Sequence, residues 1–275
     1  MTRVTVRTPV VRYRDGAFSS RSDTVSGEEP LEIRIGGEPF TTTMRTPGAD
    51  IELAHGLLHA EGVITARADV RGARYCSGVG PDGRNTYNVL EVSLTDSAAA
   101  QRVRPRTMVT NSACGVCGAE SIDAITRISR YLPGPLTMTP ETISALPDRL
   151  RARQRTFRLT GGIHACALTT QDGLIEEVRE DVGRHNAMDK VIGAALLADR
   201  LPLTDRALLT SSRASFELVQ KATLAGVGML IAVSAPSSLA VQLAEQAGLT
   251  LIGFTSATGF NIYTGPWRVT GAPGR

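Results

Sequence analysis

The sequence predicts an α/β protein, α+β overall, with a β-rich N-terminal domain over residues 1–135 and a mostly parallel, mixed-sheet α/β domain over residues 136–275. Three observations predict it. Alternating and β-branched residues dominate the first stretch, strands and helices alternate through the second half, and Pro133-Gly134-Pro135 clusters rigid and permissive residues between two helical segments.

The elements follow in order. TVRTPVVRYR reads as a strand, as do LEIRI and PFTTTMRT on either side of a Gly36-Gly37 turn. ADIELAHGLLHAEG sets Ile51, Leu53, Ala54, Leu57 and Leu58 at helical spacing, with Asp50 placed to cap and Gly62 to stop the helix. CSGVGPDGRNT is turn chemistry, and TYNVLEVSL is another alternating strand. Past Gly118, AESIDAITRISRYL carries a stripe of Ile122, Ile125 and Ile128 and is expected to be helical.

In the second half a helix is expected over Pro140 to Arg153. IHACALTT and LIEEVRE flank an Asp172-Gly173 turn, which makes them an antiparallel hairpin. Helix GRHNAMDKVIGAALLAD, strand ALLTSS, helix ASFELVQKATLAGV, strand MLIAVSA, helix SSLAVQLAEQAG and strand LTLIGFT then alternate, which gives a parallel sheet covered on its faces with an antiparallel strand at its start. No internal repeat or low-complexity tract appears.

Composition limits the function. With 42% apolar and 21% charged residues, and no run near the roughly 18 apolar residues a membrane span needs, the chain is not expected to enter a bilayer. The charge-punctuated N-terminus lacks the apolar block of a secretory signal, so a cytoplasmic location is expected, where thiols stay reduced. A net charge of +3 makes no nucleic-acid footprint. Of the 30 basic residues all but Lys190 and Lys221 are arginines, which makes those two lysines worth following.

The chemistry begins at NSACGVCGAE, where Cys114 and Cys117 stand two residues apart with a glycine after each. Four readings are open: a zinc clip completed by His164 and Cys166, a redox couple, an inert buried pair, or a nucleophile. A structural zinc site usually takes two close pairs, and the chain has one. Gly115 and Gly118 make the segment pliable, and a helix beginning at Ala119 would lower a nearby thiol pKa, which favours the nucleophile. Cys76, in a turn, reads as structural. His55 and His59 are four apart on a helix, and the favoured reading has one at the surface and one satisfied at an interface.

Polar residues gather where strands end. Ser211, Ser212 and Arg213 follow one strand, Ser234 to Ser238 follow another, and Arg184, His185, Asn186, Asp189 and Lys190 open a helix just after a third. Helix starts at the carboxyl ends of sheet strands favour anions, so a phosphate or nucleotide site is expected there. The blander reading makes the serines N-caps and Asp189 with Lys190 a solvated pair.

SACGVCG, TGGIHACAL, EDVGRHNAMDKVIG, SSRASFELVQKA and VSAPSSLAVQLA, in this order, together with RTPGADIELAHGLLHAEGVI, resemble the FdhD/NarQ family from about residue 30 to the end. The resemblance implies an accessory sulfurtransferase of formate dehydrogenase. Such a protein takes persulfide sulfur from a cysteine desulfurase and delivers it to the molybdenum cofactor in its bis(molybdopterin guanine dinucleotide) form. It implies that Cys114 carries the persulfide with Cys117 assisting, and that Phe254, Thr255, Ser256, Ala257, Thr258 and Gly259 contact the cofactor, whose GDP or GMP moiety would fill the site. Arg184, His185, Asn186, Lys190, Ser211, Ser212, Arg213 and Ser234 are expected to complete that site, with no intrinsic metal. Where relatives often have an arginine, this chain has Ser256 and Ala257.

The resemblance also implies a cytidine-deaminase-like, three-layer α/β/α second domain. The deaminase signature is missing, since HAC stands where His-x-Glu is needed, so deamination is not expected. Formate dehydrogenase as recipient and a homodimer are the expected partners. The opposing class is a cofactor-holding chaperone with a structural or zinc-binding C-x-x-C.

Overall fold

The computed structural model describes residues 4–76, 86–95 and 131–273, so the cysteine pair and the helix expected after Gly118 lie outside the described residues. The chain opens with β1 (Thr5–Arg14) and β2 (Ala17–Ser26), an antiparallel ribbon joined at Asp15-Gly16, both at positive φ. β2 was not expected, because AFSSRSDTVS has no apolar alternation. The signal that could have found it is the Asp-Gly turn.

A second sheet has the order β4-β3-β6-β5, built from β3 (Glu29–Ile35), β4 (Glu38–Arg45), β5 (Val70–Tyr75) and β6 (Val89–Leu94). Leu31, Ile33 and Ile35 of β3 alternate onto its buried face, as Leu90 and Val92 do from β6. Helix α1 (Asp50–Ala60) covers that face with Leu53, Ala54 and Leu58. Ala49, in a left-handed conformation, is the N-cap, and Asp50 is the first helical residue instead of the expected cap. Its carboxylate is drawn off to Arg45, with contacts of 3.1 and 3.0 Å, and both side chains are buried.

The second half is a six-stranded sheet of order β12-β11-β10-β9-β7-β8, using β7 (His164–Thr169), β8 (Ile175–Asp181), β9 (Ala207–Thr210), β10 (Met229–Ala232), β11 (Thr250–Ser256) and β12 (Gly259–Thr264). β9, β10 and β11 are parallel, and β7 runs against both β8 and β9. The expected β7–β8 hairpin is present. The unexpected β12 adds a second antiparallel strand, at the far edge.

Period-two alternation divides the sheet residues between two cores. Cys166, Leu168, Leu208, Leu230 and Leu251 face α4 (Arg184–Leu197), α5 (Phe216–Leu224) and α6 (Ser238–Gln246). Ala165, Ala167, Leu209, Ile231 and Ile252 face α2 (Pro140–Arg153), which is followed by the short α3 (Arg155–Thr160). The result is the expected α/β/α layering.

α1 and α4 meet where both are glycine. A Cβ on Gly56 would lie 2.0 Å from the Asp189 carbonyl oxygen, and one on Gly193 would lie 1.8 Å from that of Glu52. Both glycines are there because two helix backbones touch. Around this contact the two lysines are consumed. Lys190 Nζ lies 2.7 Å from Asp181 and donates to the Thr46 carbonyl at 2.8 Å, while Lys221 Nζ donates to Asp189 at 2.6 Å. All four charged side chains are buried. Asp189 and Lys190 are thus not a solvated pair; adjacent on one helix, they point to different partners. His55 and His59 are also both buried, which corrects the expectation that one would reach solvent. His55 Nδ1 bonds the Ile51 carbonyl at 2.7 Å. Burial, with the Lys221 ammonium nearby, pulls His59 down to about 4.

Candidate functional site

β8, β9, β10 and β11 all end on one edge of the six-stranded sheet, and the polar segments that follow them are stitched together there. Ser211 N–H donates to the Ala165 carbonyl at 2.9 Å, and Ala165 N–H donates to Ser211 Oγ at 2.9 Å. Val233 N–H reaches the Thr210 carbonyl at 3.0 Å, Ser234 N–H reaches that of Ser212 at 3.4 Å, and Phe254 N–H reaches that of Ser234 at 3.2 Å. Gly253 permits this approach, because a Cβ there would come within 3.0 Å of Pro236 and 3.1 Å of the Ser234 oxygen.

The expected contact residues fall into two groups. The first has its polar atoms occupied within the protein. Asn186 donates to the Met44 carbonyl at 2.8 Å and to Asp181 at 3.1 Å, and accepts from Thr43; Lys190 is held as above. Ser212 Oγ lies 2.9 Å from Thr210 Oγ1 and donates to the Arg213 carbonyl, and Thr255 Oγ1 donates to the Ala232 carbonyl at 2.9 Å. These residues brace the edge.

The second group is at least partly exposed. Phe254 is 51% exposed at a left-handed φ of 54°, where an irregular register separates Gly253 from Ser256. A non-glycine residue at positive φ is costly, so its ring is held outward by the surrounding structure. Ser256, Ala257 and Thr258 are exposed in the turn to Gly259, and Ser234 is half-buried at the same edge. Arg213 is exposed and makes no side-chain hydrogen bond or ion pair among the described residues. Arg184 and His185 are half-buried at the start of α4.

Three residues at this edge were not anticipated as contacts. His185 Nε2 lies 3.2 Å from Ser215 Oγ and 3.4 Å from Glu217 Oε2. The hydrogen bond with His185 holds the Glu217 carboxyl at about 2, well below its ordinary range. His164, which begins β7 opposite Asp181, is pushed down by burial and by the Arg184 and His185 charges. Glu217 and Ser215 come from the start of α5, and only the sheet order sets them beside α4. Burial pushes the Cys166 thiol up, which makes it a poor nucleophile or ligand. Among the described residues no three His, Cys, Asp or Glu side chains gather as metal ligands. Cys114 and Cys117 lie outside those residues.

A three-layer α/β/α sheet with an anion-suited carboxyl edge, preceded by a smaller sheet and its covering helix, defines the architectural class. The family model of the FdhD/NarQ family matches residues 26–270, and the chain belongs to that family. It is 52% identical over 273 residues to the sulfur carrier protein FdhD of Streptomyces coelicolor, covering 98% of this chain and 97% of that one. It is 51% identical over 257 residues to the FdhD of Mycobacterium tuberculosis, covering 91% and 93%. The crystal structure of a formate dehydrogenase accessory protein from Desulfotalea psychrophila shares the fold, with a TM-score of 0.75, 22% identity, and coverage of 97% of this chain and all of that one.

Proposed function

We propose that this chain is a sulfur carrier for formate dehydrogenase. It accepts persulfide sulfur on Cys114 from a cysteine desulfurase and delivers it to the bis(molybdopterin guanine dinucleotide) form of the molybdenum cofactor. The observation that carries this reading is the 52% identity, over nearly the whole chain, with a protein named as a sulfur carrier. In this reading residues 1–135 bring the cysteine segment, residues 136–275 hold the cofactor, and the working unit is a homodimer in the cytoplasm. No helix among the described residues is long and apolar enough to cross a membrane.

The carboxyl edge suits the guanine nucleotide of that substrate. The exposed Phe254 ring offers a stacking face to a base. The exposed Arg213 guanidinium, at the same sheet edge as Arg184 and His185, suits the pyrophosphate. Glu217 keeps His185 oriented through the bond described above.

The chemistry of transfer balances in two steps. The Cys114 thiolate attacks the terminal sulfur of the donor's persulfide; a sulfur–sulfur bond forms at Cys114 and the donor cysteine leaves as a thiolate. The Cys117 thiolate then attacks Cys114 Sγ, a Cys114–Cys117 disulfide forms, and the terminal sulfur leaves as hydrosulfide towards the acceptor. A cellular thiol reductant restores the pair.

The test is the intact mass of the protein after incubation with an active desulfurase and cysteine. The expected result is a gain of one sulfur atom, removable by dithiothreitol, mapping to Cys114 and lost in Cys114→Ala. No gain with a demonstrably active desulfurase would replace this reading with that of a cofactor-holding chaperone.

A further inference from the structure

A groove of about 580 Å³ lies at the opposite side of the six-stranded sheet, against its β8 edge. Its walls are the α2–α3 junction, the end of β8, and the Thr46–Ala49 connection into α1. β8 and β11 are four strand positions apart in the sheet order, which at about 4.8 Å per strand separates the groove from the Phe254 turn by roughly 19 Å. The volume is within the roughly 300–1,000 Å³ range of small-molecule sites.

Charge decides what such a groove would hold. Arg153, Arg155, Arg158, Arg179 and Lys190 line it, against the single acid Glu180. Arg179 is matched by Glu52 and Glu177, and Lys190 by Asp181. The Glu180 carboxylate is itself occupied, accepting from Thr156 N–H and Phe157 N–H at 2.8 Å each. Among the described residues the other three arginines have no carboxylate partner. Arg153 donates only to the Ile175 carbonyl, Arg158 only to that of Ala152, and Arg155 makes no side-chain hydrogen bond or ion pair among the described residues. By contrast, Arg200 and Arg206 are paired with Glu176. Three uncompensated guanidinium groups within six residues repel one another unless an anion sits among them. Guanidinium is the group that grips phosphate oxygens two at a time.

We infer that this groove is a second ligand site, taking a small molecule with at least two linked phosphoryl groups held by Arg153, Arg155 and Arg158. It lies at the β8 end of the sheet, away from the Phe254 turn, and does not depend on the sulfur-carrier reading. The ligand's phosphates come either from a nucleotide or from an inorganic polyphosphate.

The experiment titrates the full chain with inorganic pyrophosphate by calorimetry at constant ionic strength, then with GDP in competition. The variants are Arg155→Ala, Arg158→Ala and, as a control across the sheet, Phe254→Ala. Arg155 and Arg158 are exposed, so both variants should melt like the parent. The expected result is saturable pyrophosphate binding that weakens about tenfold for each arginine removed and is unchanged in Phe254→Ala. GDP that displaces the pyrophosphate marks a nucleotide as the source, and GDP that binds only through Phe254 marks an inorganic one; both uphold the site. No saturable binding at millimolar pyrophosphate, or binding indifferent to both arginines, overturns it. Persulfide loading of Cys114 is read separately, so failure of one inference leaves the other standing.

Discussion

Replacing Lys190 with Met keeps most of the apolar stem of the side chain and removes the ammonium from a site where 2% of Lys190 and none of Asp181 meets solvent. The Thr46 carbonyl loses its donor at 2.8 Å, and the Asp181 carboxylate loses its cation at 2.7 Å. Three donors to that carboxylate remain: Thr46 N–H at 3.1 Å, Gly183 N–H at 2.8 Å and Asn186 Nδ2 at 3.1 Å. Removing one member of a buried pair costs about 3–5 kcal/mol, and the surviving donors put this case near the lower end, at about 3 kcal/mol. For a chain of this size that corresponds to a fall in Tm of roughly 6–12 °C. The assay is reversible denaturant unfolding, with Asp181→Asn and the double variant completing a cycle. The double variant should cost about 2 kcal/mol less than the two singles together, because it strands no charge. A cost for Lys190→Met below about 1 kcal/mol, with no coupling, would refute the claim that this pair fastens the β4–α1 connection to α4.

Two further outcomes follow from the same interface. Gly193→Ala, which in an open helix would stabilise by about 1 kcal/mol, should here destabilise by about 3 kcal/mol, because its Cβ would meet the Glu52 carbonyl at 1.8 Å; a neutral or rising Tm would show that α1 and α4 are not in backbone contact. His59 binds its proton near pH 4 when folded and near its usual 6.5 when unfolded, so between those values the unfolded chain holds more protons. Stability from this group is therefore complete above pH 6.5 and lost as pH falls towards 4, and His59→Leu should flatten the unfolding curve across that window. An unchanged slope would mean that His59 is not held neutral.

Local pattern determined much of this protein. The Pro140 start of α2, the Asp172-Gly173 hairpin, and the alternation that splits β7, β9, β10 and β11 between two cores are all short-range properties of the chain. The sharing of one sheet edge by the Ser211–Arg213 and Ser234 segments followed from parallel strands feeding helices. Where the pattern was weak the elements were missed: β2 is polar, β5 lacks alternation, and β12 follows a strand that already looked terminal.

Tertiary structure alone decided which polar residues are buried against partners and which stay at the sheet edge. Asn186 and Lys190 stand among Arg184 and His185 in the sequence, yet a helix turns successive residues about 100° apart, so Asn186 and Lys190 meet β4 and the Thr46 connection while Arg184 and His185 stay at the edge. Lys221 finds Asp189 across 32 residues, and Gly193 finds Glu52 across the α1–α4 contact, because packing two helices brings together positions that no local pattern relates. Sequence supplies each side chain's chemistry at once. Whether that chemistry faces a ligand or a buried partner depends on contacts distant in the chain, which exist only after the layers have packed.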